Sequence, residues 1–133
     1  MAYFLDTDHC IYALKGTYPA IGERLAEQRP QDIRIAAIVQ AELLLGAEKS
    51  QRRRRTLEAV EAFLAPFAIV PFDEAAARAY AAIRAKLEHK GAPIGPNDLI
   101  LAATVLAAGG VIVTHNLREF RRVTGLPVED WTR

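Results

Sequence analysis

The sequence has few cysteines, no long apolar run, no signal peptide and little net charge, and each of these absences excludes a class of protein. There is one cysteine, Cys10, so no internal disulfide can form, and we expect a reducing, cytoplasmic setting. No apolar run approaches the roughly 18 residues that a membrane span requires, and the N-terminus reaches the charge of Asp6 too early for a signal peptide. The net charge of +1 does not by itself indicate a nucleic-acid partner. These absences predict a protein without a membrane segment.

The composition that is present is that of an ordinary globular protein. Hydrophobic residues make up 51% of the 133 residues and charged residues 25%. No internal repeat, low-complexity tract or long linker divides the chain, and its length suits one core. We therefore expect a single domain over residues 1–133.

Short apolar runs alternate with helical patterns along the chain. The predicted strands are residues 2–5, 33–35, 67–70 and 111–113, with 128–131 as a candidate edge strand. The predicted helices are residues 8–15, 19–28, 38–49, 51–64, 73–90 and 96–108. Strands separated by helices predict an α/β fold, with a central, mostly parallel sheet of four to five short strands and helices on both faces. The strand at 111–113 is apolar on both faces, which predicts a central position.

Four acidic or amide residues lie where an apolar run begins or ends, namely Asp6, Glu42, Asp98 and Asn116. In parallel α/β sheets the functional crevice lies beyond the carboxyl ends of the strands, which is where Asp6 and Asn116 are expected. Oxygen ligands without a cluster of cysteine or histidine suit Mg²⁺ or Mn²⁺. Two such ions about 4 Å apart can activate water and stabilise the leaving oxygen of a phosphodiester. The joint placement predicts a hydrolytic metal site.

Each of these residues also has a purely structural interpretation. Asp6 can cap a helix, and Asp98 can interact favourably with a helix dipole. Glu42 can lie at the edge of an amphipathic helix, and Asn116 can be a turn residue. Only the four positions taken together favour a site.

Several longer motifs, spread over nearly the whole chain, match one family in their order and spacing. They are residues 5–8 with 11–16, then 41–46, 71–73, 93–103 and 113–120. With these motifs the chain resembles the VapC-type toxins of the PIN-domain ribonuclease superfamily. The resemblance implies a PIN-like three-layer fold.

The resemblance also implies a set of site residues. Asp6, Glu42 and Asp98 would form the acidic triad that binds Mg²⁺ or Mn²⁺, with Asp6 and Asp98 holding the principal ion. Asn116 occupies a position that is acidic in many relatives, so it would act as a fourth, uncharged catalytic residue. Asp8 is a candidate for supplying the missing charge.

Further charged residues lie near the predicted pocket in the last motif. Glu119 is a second candidate for an auxiliary ligand. Arg118, Arg121 and Arg122 are candidate contacts to RNA phosphates. Trp131 is expected to anchor the C-terminal tail by packing.

The three histidines, by contrast, are scattered without the spacing of metal ligands. They are His9, His89 and His115. His115 lies beside Asn116, but a plain loop residue is the expected role. The histidines therefore predict no site of their own.

The function implied by the resemblance is that of a metal-dependent endoribonuclease toxin of a type II toxin–antitoxin system. Such a protein hydrolyses RNA, with transfer RNA as the expected substrate, and so inhibits translation. The products would carry a 5′-phosphate and a 3′-hydroxyl. The expected partners are a VapB-type antitoxin, which inserts a segment into the active-site groove, and a second copy of the chain in a homodimer.

Two alternatives remain open at this point. A phosphatase of the haloacid dehalogenase type would use Asp6 as nucleophile and Asp8 for proton transfer, although Cys10 stands where that motif expects Thr or Val. The second alternative is a catalytically inert PIN domain that binds RNA or a protein.

Overall fold

Five short strands form the centre of the computed structural model, which describes residues 1–133. They are β1 (Tyr3–Leu5), β2 (Ile33–Ala36), β3 (Ala68–Val70), β4 (Val111–Val113) and β5 (Val128–Glu129). The strand order is β3-β2-β1-β4-β5, and all four pairings are parallel. The predicted α/β fold with a parallel sheet is confirmed, and β5 is the edge strand beside β4.

Seven helices connect and flank these strands. They are α1 (Thr7–Lys15), α2 (Pro19–Glu27), α3 (Ala37–Glu48), α4 (Arg53–Leu64), α5 (Glu74–His89), α6 (Pro96–Ala107) and α7 (Leu117–Phe120). The first six correspond to the predicted helices, whereas α7 and a 3₁₀ turn at Pro30–Asp32 were not predicted. None of the helices combines the length and the apolar character that a membrane crossing demands.

The core lies between the sheet and its helices. Phe4 and Leu5 of β1 and Ile112 and Val113 of β4 are completely buried, as expected for inner strands covered on both faces. Helix α5 packs along α6, and α3 packs on α4 and α1. The two inner strands therefore provide a rigid base for the residues that follow them.

A double glycine makes the turn from α6 into β4. Gly109 has a φ of 66°, in the left-handed region that favours glycine. At Gly110 an added Cβ would lie 2.6 Å from Phe4 Cε1 and 3.0 Å from the Ala2 carbonyl oxygen. Both positions allow β4 to pack closely against β1.

The predicted helix over residues 51–64 begins two residues later than expected, at Arg53. The Ser50 hydroxyl accepts a hydrogen bond from the Arg52 backbone N–H at 3.1 Å and lies 2.9 Å from the Thr56 hydroxyl. A serine side chain that binds nearby backbone groups competes with the helical hydrogen bonds. Residues 51 and 52 consequently form a turn.

The candidate edge strand over residues 128–131 is also shorter than expected and ends at Glu129. The next backbone N–H groups leave the sheet: that of Trp131 donates to His9 Nε2 at 3.2 Å, and that of Thr132 donates to Asp130 Oδ1 at 2.9 Å. Trp131 is 1% exposed, so the tail is anchored by packing as predicted.

Candidate active site

Three of the predicted site residues meet at the carboxyl edge of the sheet. Asp6 follows β1 directly, Glu42 lies in the middle of α3, and Asp98 is the third residue of α6. Their side chains line one small cleft together with Asp8. The structure thus brings the predicted acidic triad together and adds Asp8 to the same surface.

Asp6 is fixed in place by its neighbours on both sides. Its backbone N–H donates to the Val113 carbonyl at 3.0 Å, which joins it to β4. Its Oδ1 accepts the backbone N–H of His9 at 2.8 Å and so caps α1. The side chain is buried and no hydrogen bond engages Oδ2. The capping role and a ligand role are therefore compatible, since each uses a different oxygen.

Glu42 is oriented by two donors from other parts of the chain. The Thr7 hydroxyl donates to Oε1 at 2.7 Å, and Asn97 Nδ2 donates to Oε2 at 3.4 Å. Sequence reasoning missed both donors, although each lies next to a predicted site residue. Their position beside Asp6 and Asp98 is the signal that could have identified them.

The cleft concentrates negative charge around Asp98. Burial, followed by the charges of Glu119, Glu42 and Asp6, raises the pKa of Asp98 to about 6. Burial and the charges of Asp6 and Glu42 also raise the pKa of Asp8. Ionising these carboxyl groups is unfavourable unless a positive charge compensates them.

The donor set of the cleft suits a hard divalent cation. No ion pair joins a lysine or arginine to Asp6, Glu42 or Asp98, and the one basic side chain in ion-pair distance of them is the buried His9 beside Asp6. Carboxylate oxygens are ligands that Mg²⁺ and Mn²⁺ prefer. No three acidic, histidine or cysteine side chains already form a coordination group. The residues fit such an ion by charge and chemistry.

Asn116 is connected to the cleft indirectly. It precedes α7, and its Nδ2 donates to the Glu119 carboxylate. Glu119 in turn lies close enough to Asp98 for its charge to raise the pKa of that residue. Of the two residues, Glu119 is therefore the one that acts on the acidic triad directly.

Comparison with known proteins matches this arrangement to one family. The family model described as PIN domain matches residues 3–126. The chain belongs to the PIN-domain family. This membership removes the basis for the alternative in which Asp6 is the nucleophile of a haloacid dehalogenase-type phosphatase.

This PIN domain is similar over its full length to proteins called VapC. It is 38% identical to the "tRNA(fMet)-specific endonuclease VapC" of Shigella flexneri over 132 residues, which cover 99% of both chains. It is 39% identical to the protein of the same name from Salmonella typhimurium over 131 residues, or 98% of both chains. The predicted relationship to VapC-type toxins is confirmed.

Solved structures agree with the sequence comparison. One is the crystal structure of DNA-bound VapBC from Salmonella typhimurium, with a TM-score of 0.93 and 39% identity over 98% of both chains. Another is VapBC2 from Rickettsia felis bound to a promoter DNA fragment, with a TM-score of 0.92 and 33% identity over 98% of this chain and 99% of that one. The predicted PIN-like fold is confirmed.

The three arginines predicted to contact RNA differ in their surroundings. Arg118 and Arg121 are exposed and take part in no ion pair. Arg122 is partly buried, and its Nη1 donates to the Pro93 carbonyl at 2.9 Å. Arg118 and Arg121 are thus free to meet a ligand, whereas Arg122 braces the loop before α6.

An apolar groove of this PIN domain opens beside Glu42, between α1, α3 and α4. Its lining includes Ile11, Leu14, Leu43 and Val60, with Lys15 and Arg55 also contributing. The groove therefore offers both apolar surface and positive charge immediately next to the acidic cleft.

Proposed function

We propose that this PIN domain is a metal-dependent endoribonuclease toxin of a type II toxin–antitoxin system. The observation that carries the proposal is the meeting of Asp6, Glu42 and Asp98 in one cleft without a lysine or arginine partner. Membership of the PIN family adds the expectation that this cleft acts on RNA.

Transfer RNA is the proposed substrate, and its cleavage would inhibit translation. Two relatives that are 38% and 39% identical over nearly the whole chain are called tRNA(fMet)-specific endonucleases. The exposed and unpaired Arg118 and Arg121 lie in the segment after β4, near the same edge of the sheet, and supply positive charge for phosphate contacts.

In the proposed reaction the side chains of the cleft share the work of binding and orientation. Asp6 and Asp98 would hold the principal ion, and Glu42, fixed by Thr7, would contribute directly or through water. When bound, Mg²⁺ or Mn²⁺ supplies Lewis-acid chemistry that lowers the pKa of water and stabilises charge on the phosphodiester. Glu119 would add charge next to Asp98. Hydrolysis in this sense leaves a 5′-phosphate and a 3′-hydroxyl.

A VapB-type antitoxin is the proposed partner. The similar solved structures from Salmonella typhimurium and Rickettsia felis are VapBC assemblies. The groove between α1, α3 and α4 borders Glu42, so a segment placed in it would also reach the cleft. We further propose a homodimer, which the native mass of the purified chain would test.

The deciding experiment is cleavage of transfer RNA by the purified chain, free of any partner. We expect cleavage with Mg²⁺ or Mn²⁺, none with EDTA, and none with Asp98→Asn, whereas the exposed-surface variant Glu61→Gln should cut like wild type. RNA that stays intact with wild type, or is cut equally by Asp98→Asn, would contradict the proposal. Binding of RNA without cleavage would instead support the inert PIN domain.

A further inference from the structure

His9 is a buried histidine that lies directly behind the cleft. It is the third residue of α1, and its side chain is completely buried. Its ring Nδ1 lies 3.2 Å from Asp6 Oδ1, the oxygen that also accepts the His9 backbone N–H. The imidazole is therefore in contact with a proposed metal ligand but is turned away from the cleft.

The C-terminal tail determines which ring nitrogen of His9 carries the proton. Nε2 accepts the backbone N–H of Trp131 at 3.2 Å, so this nitrogen must present its lone pair. A neutral ring then carries its proton on Nδ1. Nδ1 forms no hydrogen bond of good geometry, and Asp6 Oδ1 lies 3.2 Å from it. Asp130 Oδ1, at 3.7 Å from Nε2, is beyond hydrogen-bond distance.

The tail itself is firmly held in this position. The Trp131 ring packs 5.3 Å from the Tyr3 ring, measured between centroids, and its indole N–H donates to Glu129 Oε1 at 3.0 Å. Trp131 lies beyond residues 3–126, the region that the PIN family model matches. The main chain of Trp131 is thus held beside His9 by packing and by a hydrogen bond.

We infer that His9 is a positioning residue for Asp6, with its protonated Nδ1 held 3.2 Å from Asp6 Oδ1 and its tautomer fixed by the main chain of Trp131. The inference rests on the proposed function, because it concerns Asp6 as a metal ligand. Groups that orient a metal ligand change metal affinity by roughly 10- to 100-fold when they are removed. His9 is expected to act in this range without touching the ion or the RNA.

Two substitutions test the roles of the two ring nitrogens of His9 one at a time. In His9→Asn the amide nitrogen reaches the place of Nδ1, which keeps a donor for Asp6 and removes the acceptor for Trp131. In His9→Gln the amide oxygen reaches the place of Nε2, which keeps the acceptor and removes the donor. The exposed His89 provides a matched control, His89→Gln.

The readouts are Mn²⁺ affinity by calorimetry and the fluorescence of Trp131, the single tryptophan of the chain. We expect His9→Gln to keep the wild-type emission and to lose Mn²⁺ affinity about tenfold. His9→Asn should keep the affinity within about twofold and shift the emission to the red. His9→Gln with wild-type affinity, or equal loss of affinity in both variants, would overturn the inference.

A measurement on the wild-type protein covers the case in which a variant folds poorly. Long-range ¹H–¹⁵N NMR spectra distinguish the two histidine tautomers, and we expect the His9 proton on Nδ1. A proton on Nε2 would overturn the inference while leaving the proposed function intact. Wild type that binds no Mn²⁺ would overturn the proposed metal site, and the inference with it.

Discussion

Among the carboxyl groups of the cleft, Asp98 is the one whose pKa is raised most clearly. Burial and the charges of Glu119, Glu42 and Asp6 raise its pKa to about 6. Near neutral pH the carboxyl group is ionised although its neighbours oppose the charge, so the protein without a cation is destabilised there. A divalent cation would remove this opposition, which couples metal binding to stability.

The pH dependence of unfolding isolates this effect. Because the pKa of Asp98 is higher in the folded chain than the usual 3.8, the folded state binds more protons between about pH 4 and 6. The contribution of Asp98 to the free energy of unfolding is therefore fully present below about pH 4 and is lost as the pH rises to about 6. Without metal, we expect Asp98→Asn to be more stable than wild type at pH 7 by roughly 1–2 kcal/mol after solvent screening. Denaturant unfolding at pH 4 and 7 measures the difference, and a gain that is equal at both pH values would contradict it.

Thr7 allows a second test at the scale of single atoms. Its hydroxyl donates to Glu42 Oε1 at 2.7 Å, so Thr7→Val removes the hydrogen bond while it keeps the shape of the side chain. We expect RNA cleavage to fall about tenfold, because an unanchored Glu42 loses its orientation. Thr7→Ser retains the hydroxyl and should keep most of the activity. Equal rates for the valine and serine variants would show that the hydrogen bond is unimportant.

At the scale of elements, the turn between α6 and β4 determines how closely the two inner strands approach. Gly110 lies against Phe4 and the Ala2 carbonyl, and Val111 N–H donates to that carbonyl at 2.9 Å. The same strand pair later provides the Val113 carbonyl that holds the backbone of Asp6. A disturbance in this turn would therefore reach both the core and the site.

A pair of glycine substitutions tests this contact. Gly110→Ala would place its Cβ 2.6 Å from Phe4, so we expect a loss of about 1–3 kcal/mol in the free energy of unfolding. Gly22→Ala in α2 meets no atom within 4 Å and should stabilise by roughly 0.5–1 kcal/mol. Thermal melting of both variants measures the contrast, and destabilisation of equal size would refute the role of the close approach.

Elements with a long periodic pattern could be predicted from the sequence. Helix α5 is an example, since Ala76, Ile83 and Leu87 recur on one face and are buried. Helix α7 has only four residues, too few to show a period, and was missed. The start of α4 was wrong because it depends on the side chain of Ser50 rather than on apolar spacing.

The residues of the candidate site were predicted unevenly for a related reason. Asp6 and Asp98 are identifiable because each adjoins a strong apolar run. The supporting donors depend on contacts between distant parts of the chain: Thr7 lies 35 positions from Glu42, and His9 lies 122 positions from Trp131. No local pattern contains such pairs, so sequence reasoning set the histidines aside.

At the scale of the whole molecule, the net charge of +1 conceals an uneven distribution. Carboxylates gather in the cleft, whereas Arg118 and Arg121 in the segment after β4 have no acidic partner. An RNA chain would meet positive charge around an acidic centre. Such an arrangement suits phosphate binding outside the cleft and cation binding within it.

The salt dependence of RNA binding tests this distribution. In an Asp98→Asn background that does not cut, Arg118→Gln and Arg121→Gln should each lower the slope of log affinity against log salt by about 1. Arg78→Gln on α5, where Glu74 pairs with Arg78, is the control and should leave the slope unchanged. Unchanged slopes for Arg118→Gln and Arg121→Gln would place the RNA on another surface.

Arg122 should behave differently from its two neighbours. Its guanidinium donates to the Pro93 carbonyl, so Arg122→Gln is expected to lower the free energy of unfolding by about 1 kcal/mol. Its effect on the salt slope should be small. Chemical denaturation of the variant measures the first quantity, and undiminished stability would contradict the bracing role.

The strand order has a consequence for the newly synthesised chain. Asp6 and Glu42 leave the ribosome early, but β1 acquires its β4 neighbour only after residue 113 has been made, and His9 meets Trp131 later still. A domain generally folds as one unit during synthesis. A nascent chain would thus lack a complete cleft until β4 has been made. Under the proposed function, the chain would be unable to cleave transfer RNA while its first 113 residues are being synthesised.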